Sequence, residues 1–371
     1  MLVTASIFLP FYLTCVALLA TVIYLIATKK IISIIEDIPR SRWLLCFCVF
    51  GGIVSLIMGN YLGALCSVGI LLICIFVLYY RTIIDKRLFR VLIHIICLCS
   101  MFNFAFAVLE YYSIVHSLGY RFLSLNIADD PAFRVNASFF NANYYAMIIE
   151  FVVICCAYKL LEFRSWKRHF YYLLIIVCNL FALYLCGCRT AWPAIIVALP
   201  IMLLFSGRLK ALLAVIGISG SGVLAMLINP DWFPRNDSFA LYFGVRKDIW
   251  LTAIEGIKQH PLVGQGPLTY MQVYPGLDGP PTQHAHSVFI DPFLCYGIVG
   301  VLIVGVYIGD CIKRIYKMFR SKVNPELSAL IISAIIVVGV HGLLDYTIFW
   351  IQTAMLFLII FSSFSMYDRK D

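Results

Sequence analysis

Apolar residues run along this chain in eleven blocks, about 5 to 27, 43 to 59, 61 to 80, 91 to 116, 143 to 162, 169 to 186, 191 to 206, 211 to 229, 287 to 309, 327 to 343 and 350 to 367. A bilayer's hydrocarbon core is roughly 30 Å thick and takes about 20 helical residues to cross. Within it the backbone must satisfy its own hydrogen bonds, and continuous apolar runs without strand alternation predict helices. The expected fold is all-α: a polytopic helical membrane protein with about 11 transmembrane helices, forming one integral-membrane domain over residues 1–371. The second and third blocks are parted only by Gly59-Asn60, which reads as a tight turn or as a kink in one long helix, so the count spans about 10 to 12. The first block has no Lys or Arg before it and reads as a retained span, without the basic start of a secretory signal.

Composition agrees. Of 371 residues 63% are hydrophobic and 13% charged, a balance that would leave a water-soluble domain of this length with large sticky surfaces. The net charge of +9 is informative only by position. With the N-terminus outside, alternate connections collect 21 of the 28 Lys and Arg residues, including Lys29, Arg42, Arg87, Lys167, Arg208, Lys317 and Lys370. That asymmetry marks those loops as cytoplasmic, with the C-terminus inside, and it removes any reason to read the charge as a nucleic-acid surface. Trp43, Trp166, Trp192 and Trp350 fall at block ends, as interfacial anchors do. The 14 cysteines are scattered without zinc-site spacing and read as polarizable core filler.

Seven basic residues remain on the outer side: Arg121, Arg134, Arg189, Arg235, Arg246, Lys247 and Lys258. Any of them can be simply solvated or paired with lipid head groups. Arg189 stands apart because Gly187-Cys188-Arg189-Thr190 is a short turn between apolar helices, where a guanidinium needs an anion, and its planar fork suits phosphate oxygens. The longest outer segment, residues 230–286, is the expected large extracytoplasmic loop. Its middle has Ile249, Trp250, Ala253, Ile254 and Ile257 at helical spacing, with Arg246 and Lys247 at the start. A helix lying on the membrane surface fits that pattern as well as a catalytic element does. Turn-forming residues follow, and the chain re-enters the membrane at Gln283-His284-Ala285-His286-Ser287.

Three readings of the His pair stand at this point. As a metal site it lacks a third ligand nearby in sequence. Either ring can be structural. As a general base an imidazole, which ordinarily titrates near 6.5, accepts a proton from a hydroxyl at ambient pH. Asp291 and Asp345 are rival acidic bases, or groups that orient His or Arg, because carboxylates within spans are costly and tend to be functional.

These residues resemble a known family. His286-Ser287, nine residues, Gly297, two residues and Gly300 are similar to the signature of the O-antigen ligase and polysaccharide polymerase superfamily. Upstream, Arg134 followed by Ala137-Ser-Phe-Phe-Asn141-Ala-Asn143-Tyr-Tyr-Ala146 resembles its Asn-Pro-Asn segment, and Cys188-Arg189-Thr190 resembles its Ser-Arg turn. Arg246-Lys-Asp-Ile-Trp250 and Pro261-Leu-Val-Gly-Gln-Gly266 resemble its large-loop elements, so the likeness covers residues 134–300. The departures are Ala142 for Pro, Cys188 for Ser, and Trp250 where lipid-A ligases carry Leu. The resemblance implies a metal-independent glycosyltransferase of the bacterial cytoplasmic membrane, without cofactor, acting on its outer face in cell-surface polysaccharide biosynthesis. Its donor is an undecaprenyl-pyrophosphate-linked glycan and its acceptor a sugar hydroxyl on a lipid or glycan. A polymerase using the same donor is the alternative. It further implies His286 as the catalytic base and Arg189 and Arg246 on the donor pyrophosphate, with Arg134, Asn141, Asn143, His284, Asp291 and Asp345 in support. Arginines stabilise such a leaving group without a metal. A flippase would show internal repeats and mid-membrane charge. A non-catalytic scaffold in a glycan assembly complex also remains open.

Overall fold

The computed structural model describes residues 1–120, 133–162, 165–230 and 239–367, the side chains of 239–241 excepted. Arg121 and Arg235 lie outside the described residues. Every element described is helical and none is a strand. A helix occupies each apolar block: α2 (Phe11–Ala27, preceded by the short α1, Leu2–Ser6), α4 (Ser41–Ile57), α5 (Tyr61–Ile83), α6 (Lys86–Ser117), α7 (Ala142–Glu162), α8 (Trp166–Cys186), α9 (Ala191–Phe205), α10 (Leu209–Ile228), α13 (Asp291–Arg320), α14 (Pro325–His341) and α15 (Ile351–Phe361). Between them lie α3 (Lys30–Asp37) and, in the long loop, α11 (Phe239–Gln259) and α12 (Tyr270–Val273).

Six of the described helices, α5, α6, α7, α8, α10 and α13, are long and apolar enough to cross a membrane. A seventh counts if α2 and α3 form one span, although they are bent by 97° to each other. α4, α9, α14 and α15 are shorter apolar helices. The first block departs from a single helix over 5 to 27, because Pro10 lacks the N–H needed to continue α1 and instead precedes α2.

Gly59-Asn60 is a turn and not a kink. Gly59 takes φ 68, and Asn60 caps α5 by accepting from Gly63 N at 2.8 Å. The Asn60 amide also donates to the carbonyls of Gln265 and Pro267, at 3.1 and 2.8 Å. This turn and the long loop therefore share one end of the bundle.

The 261–266 segment docks on α13 backbone to backbone. Gly266 N donates to Cys295 O at 2.7 Å, and Ile298 N donates to Pro261 O at 3.0 Å. The second bond is possible because α13 breaks at Gly297, φ 58, where a Cβ would lie 2.4 Å from the Leu262 carbonyl. A side chain there would be strained and would also displace the loop.

α7 is buried along nearly its whole length and packs against α8, α9, α14 and α15, whereas α10 touches mainly α9 and is largely uncovered. An apolar helix buried all round belongs at the centre of a bundle. Ile249 and Ala253 of α11 pack with Tyr270, Val273, Ala285 and Leu294, and Ile257 lies against them, whereas Ile254 of the face read in the loop is exposed.

Candidate active site

Four segments meet around His286. The first is the start of α7. Asn141 caps that helix by accepting from Asn143 N at 2.7 Å, which places Asn143 in its first turn. The second is the chain between α14 and α15, which carries Asp345. The third is the irregular segment 284–288, held against the end of α14 by Val288 N donating to Gly342 O at 2.8 Å. A Cβ at position 342 would lie 2.5 Å from Val288, so this approach needs glycine. The fourth is α11, whose Trp250 indole N–H points at the His286 carbonyl at a long 3.5 Å.

A directional chain of hydrogen bonds runs through these segments. Arg134 donates through Nη2 to Asn143 Oδ1 at 2.5 Å and through Nε to Cys186 O at 2.8 Å. That fixes the Asn143 amide, whose Nδ2 then donates to Asp345 Oδ2 at 2.5 Å. Asp345 Oδ1 accepts from Tyr346 N and faces His286 Nδ1, each at 2.8 Å. In the neutral ring that gives Nδ1–H to the carboxylate, Nε2 carries the lone pair, and the hydroxyl of Thr282 stands 3.0 Å from that nitrogen. His286 itself sits at φ 46, left-handed for a residue with a side chain. Such a conformation costs about 1–3 kcal/mol and persists where neighbours over-determine it.

The two buried groups differ in charge. Burial alone would raise Asp345, but His286, with His284 and His341 behind it, holds the carboxyl well below its usual range. Burial, and then the neighbouring His286, pushes His284 down to about 4. His284 is therefore a weak base, and its Nδ1 accepts from His286 N at 3.3 Å. Asp291, also buried, spends its oxygens on Ala285 N at 2.7 Å and Cys295 Sγ at 3.3 Å. It braces the His run from behind.

A third ligand joins the His pair across the fold, since ligand atoms of His284, His286 and Asp345 lie within 4.8 Å of one another. Their lone pairs are engaged differently, however. Both Asp345 oxygens accept from protein donors, His286 Nδ1 faces one of them, and His284 Nδ1 accepts a backbone N–H. A cation held through either Nδ1 would displace bonds that orient the site.

The two arginines expected on the donor both come to this end of the bundle. Arg246 Nε donates to Leu344 O at 2.5 Å, one residue before Asp345. Arg189 stacks over the Tyr242 ring, 5.4 Å from its centroid. Tyr242 and Arg246 are one turn apart on α11, so that helix reaches both the Arg189 turn and the Asp345 segment. Lys247 and Lys258 are exposed, Lys258 pairing with Glu255 at 2.6 Å. Beneath Arg189 a cavity of about 600 Å³ opens between α8, α9 and α10. Apart from Arg189 and Ser219 its walls are nearly all apolar, from Trp192 and Met226 down to Leu199 and Val215.

Sequence reading did not single out Glu150, His341 or Thr282. Glu150 had the signal that Asp291 had, a carboxylate inside an apolar block, and it pairs with His341 at 2.6 Å. Among the described residues all cysteines are free thiols, most of them buried, as filler would be.

A family model described as O-antigen ligase matches residues 173–305, about a third of the chain. The interval includes Arg189, Arg246, His284, His286 and Asp291, while Arg134, Asn141, Asn143 and Asp345 lie outside it. No curated protein matches the chain.

Proposed function

Because the chain belongs to the O-antigen ligase superfamily, we propose that it is a metal-independent membrane glycosyltransferase that joins an undecaprenyl-pyrophosphate-linked glycan to a sugar hydroxyl on a lipid or glycan acceptor. The family is one of ligases and polymerases of polysaccharide biosynthesis, and the two activities differ only in what bears the attacking hydroxyl. The observation that carries this reading is the chain from Arg134 through Asn143 and Asp345 to His286, which leaves Nε2 facing a hydroxyl. An acceptor hydroxyl standing where Thr282 Oγ1 stands would give its proton to Nε2 as its oxygen attacks the sugar's anomeric carbon. The bond to the phosphate oxygen breaks, and polyprenyl pyrophosphate leaves with its charge on Arg189 and Arg246. The apolar cavity beneath Arg189 suits the isoprenoid of such a donor, since its charged head would meet the guanidinium while its chain lies among Trp192, Leu199 and Val215.

In this reading all eleven apolar helices traverse or enter the bilayer of a bacterial cytoplasmic membrane, with the N-terminus and the active site outside and the C-terminus inside. The distribution of Lys and Arg supports that orientation. A single cysteine placed at Leu277 is expected to label from outside and one at Lys317 to stay protected. Outside labelling at Lys317 would invert the topology and remove the site from the outer face.

Lysine in place of Arg189 or Arg246 tests the donor assignment. Lysine keeps the charge and loses the fork, so each variant is expected to lose about 10- to 100-fold in turnover or donor affinity. Wild-type kinetics in both would show that neither guanidinium grips the pyrophosphate.

A further inference from the structure

Glu150 lies on α7 two turns inward of Asn143, on the same face, and His341 ends α14 four residues before Asp345. Both side chains are fully buried, and Glu150 Oε1 meets His341 Nδ1 at 2.6 Å. The other ring nitrogen, Nε2, reaches Thr190 Oγ1 at 3.3 Å, and that hydroxyl lies 3.2 Å from Cys188 Sγ. Cys188 and Thr190 flank Arg189. The opposite end of the same turn is tied by Arg134 to Cys186 O. The elements that carry the outer tier, Asn143 and Asp345, thus also carry an inner tier that fastens the arginine-bearing turn.

A buried carboxylate and imidazole add little stability over an apolar pair of the same shape, and they are costly at this depth. Glu150 Oε2 has no hydrogen-bond partner among the described residues. We propose that Glu150 and His341 are a positioning pair that, through Thr190, holds the Cys188-Arg189-Thr190 turn in register with Asp345, so that the donor's pyrophosphate and the base act in fixed geometry. The inference rests on the glycosyl-transfer reading above.

Removing His341 leaves a buried carboxylate unpaired and is expected to impair folding, so Thr190 is the informative position. Thr190→Val keeps the shape and loses the hydroxyl, whereas Thr190→Ser keeps the hydroxyl. Binding of farnesyl pyrophosphate to the purified full chain by calorimetry, together with transfer kinetics, gives the readout. Thr190→Val is expected to weaken binding and lower turnover by about 3- to 10-fold, the worth of one hydrogen bond, with acceptor KM unchanged and Thr190→Ser near wild type. Glu150→Gln is expected to cost a similar factor and to add nothing to Thr190→Val. Wild-type binding and turnover in Thr190→Val, or an equal loss in the Ser and Val variants, would overturn the positioning role and leave the proposed function standing. A wild-type protein that neither binds farnesyl pyrophosphate nor transfers glycan would overturn both.

Discussion

Replacing His286 by alanine is expected to cut turnover by about 10²- to 10⁴-fold, the usual worth of a positioned general base, while membrane insertion and donor binding persist. The expectation follows from orientation. Asp345 takes Nδ1, so the lone pair at Nε2 points to where Thr282 Oγ1 now stands, at 3.0 Å. His284 is the internal control: burial holds its ring down to about 4, which makes it a poor proton acceptor near neutrality. His284→Ala should retain most activity apart from any loosening of the His286 backbone. Single-turnover transfer on membranes with equal protein content measures both. An inactive His284→Ala beside an active His286→Ala would move the base to His284. Normal rates in both would favour an unassisted acceptor or a scaffold role.

Asparagine at Asp345 is expected to cost a comparable 10²- to 10⁴-fold, although it removes only a charge and changes almost no volume. Arg134 donates to Asn143 Oδ1, so Asn143 can offer position 345 only its NH₂ group. Tyr346 N–H already points at the other Asp345 oxygen. An amide at 345 must therefore set its own NH₂ against one of these donors. If it turns that NH₂ toward His286, it also makes Nδ1 an acceptor and moves the proton to Nε2, where the base should be empty. An analogous tautomer error in hydrolases with an Asp–His pair costs about 10⁴-fold. Asp345→Asn with wild-type single-turnover rates would show that the carboxylate does not set the ring.

Much of the helical layout was legible in the sequence, because a backbone in lipid has few alternatives and the apolar blocks are long. Asn60 at a block boundary was readable as a turn or a kink, and a cap bond to Gly63 decides it. Gly297 was visible only as a spacing; its reason is the docking of Pro261 and Leu262 on the α13 break. Segments that carry site residues were also visible one at a time. Their pairing was not, since Asn143 and Asp345 are 202 positions apart and Glu150 and His341 are 191 apart. Periodicity shows which face of a helix is apolar, and in a chain this apolar every face qualifies, so it says nothing about which neighbour a face meets. That is why Asp345 and Asp291 could not be ranked against each other as orienting groups. In the structure one holds the His286 ring and the other holds the backbone behind it.

Reconstitution of the purified protein in liposomes containing a polyprenyl-pyrophosphate-linked glycan and a lipid-linked acceptor tests the central claim most directly. The account predicts covalent joining of the glycan to the acceptor with one polyprenyl pyrophosphate released per bond formed, in the presence of a metal chelator. Glycan that crosses the bilayer with no bond formed, or joining that stops when divalent metal is removed, would contradict it.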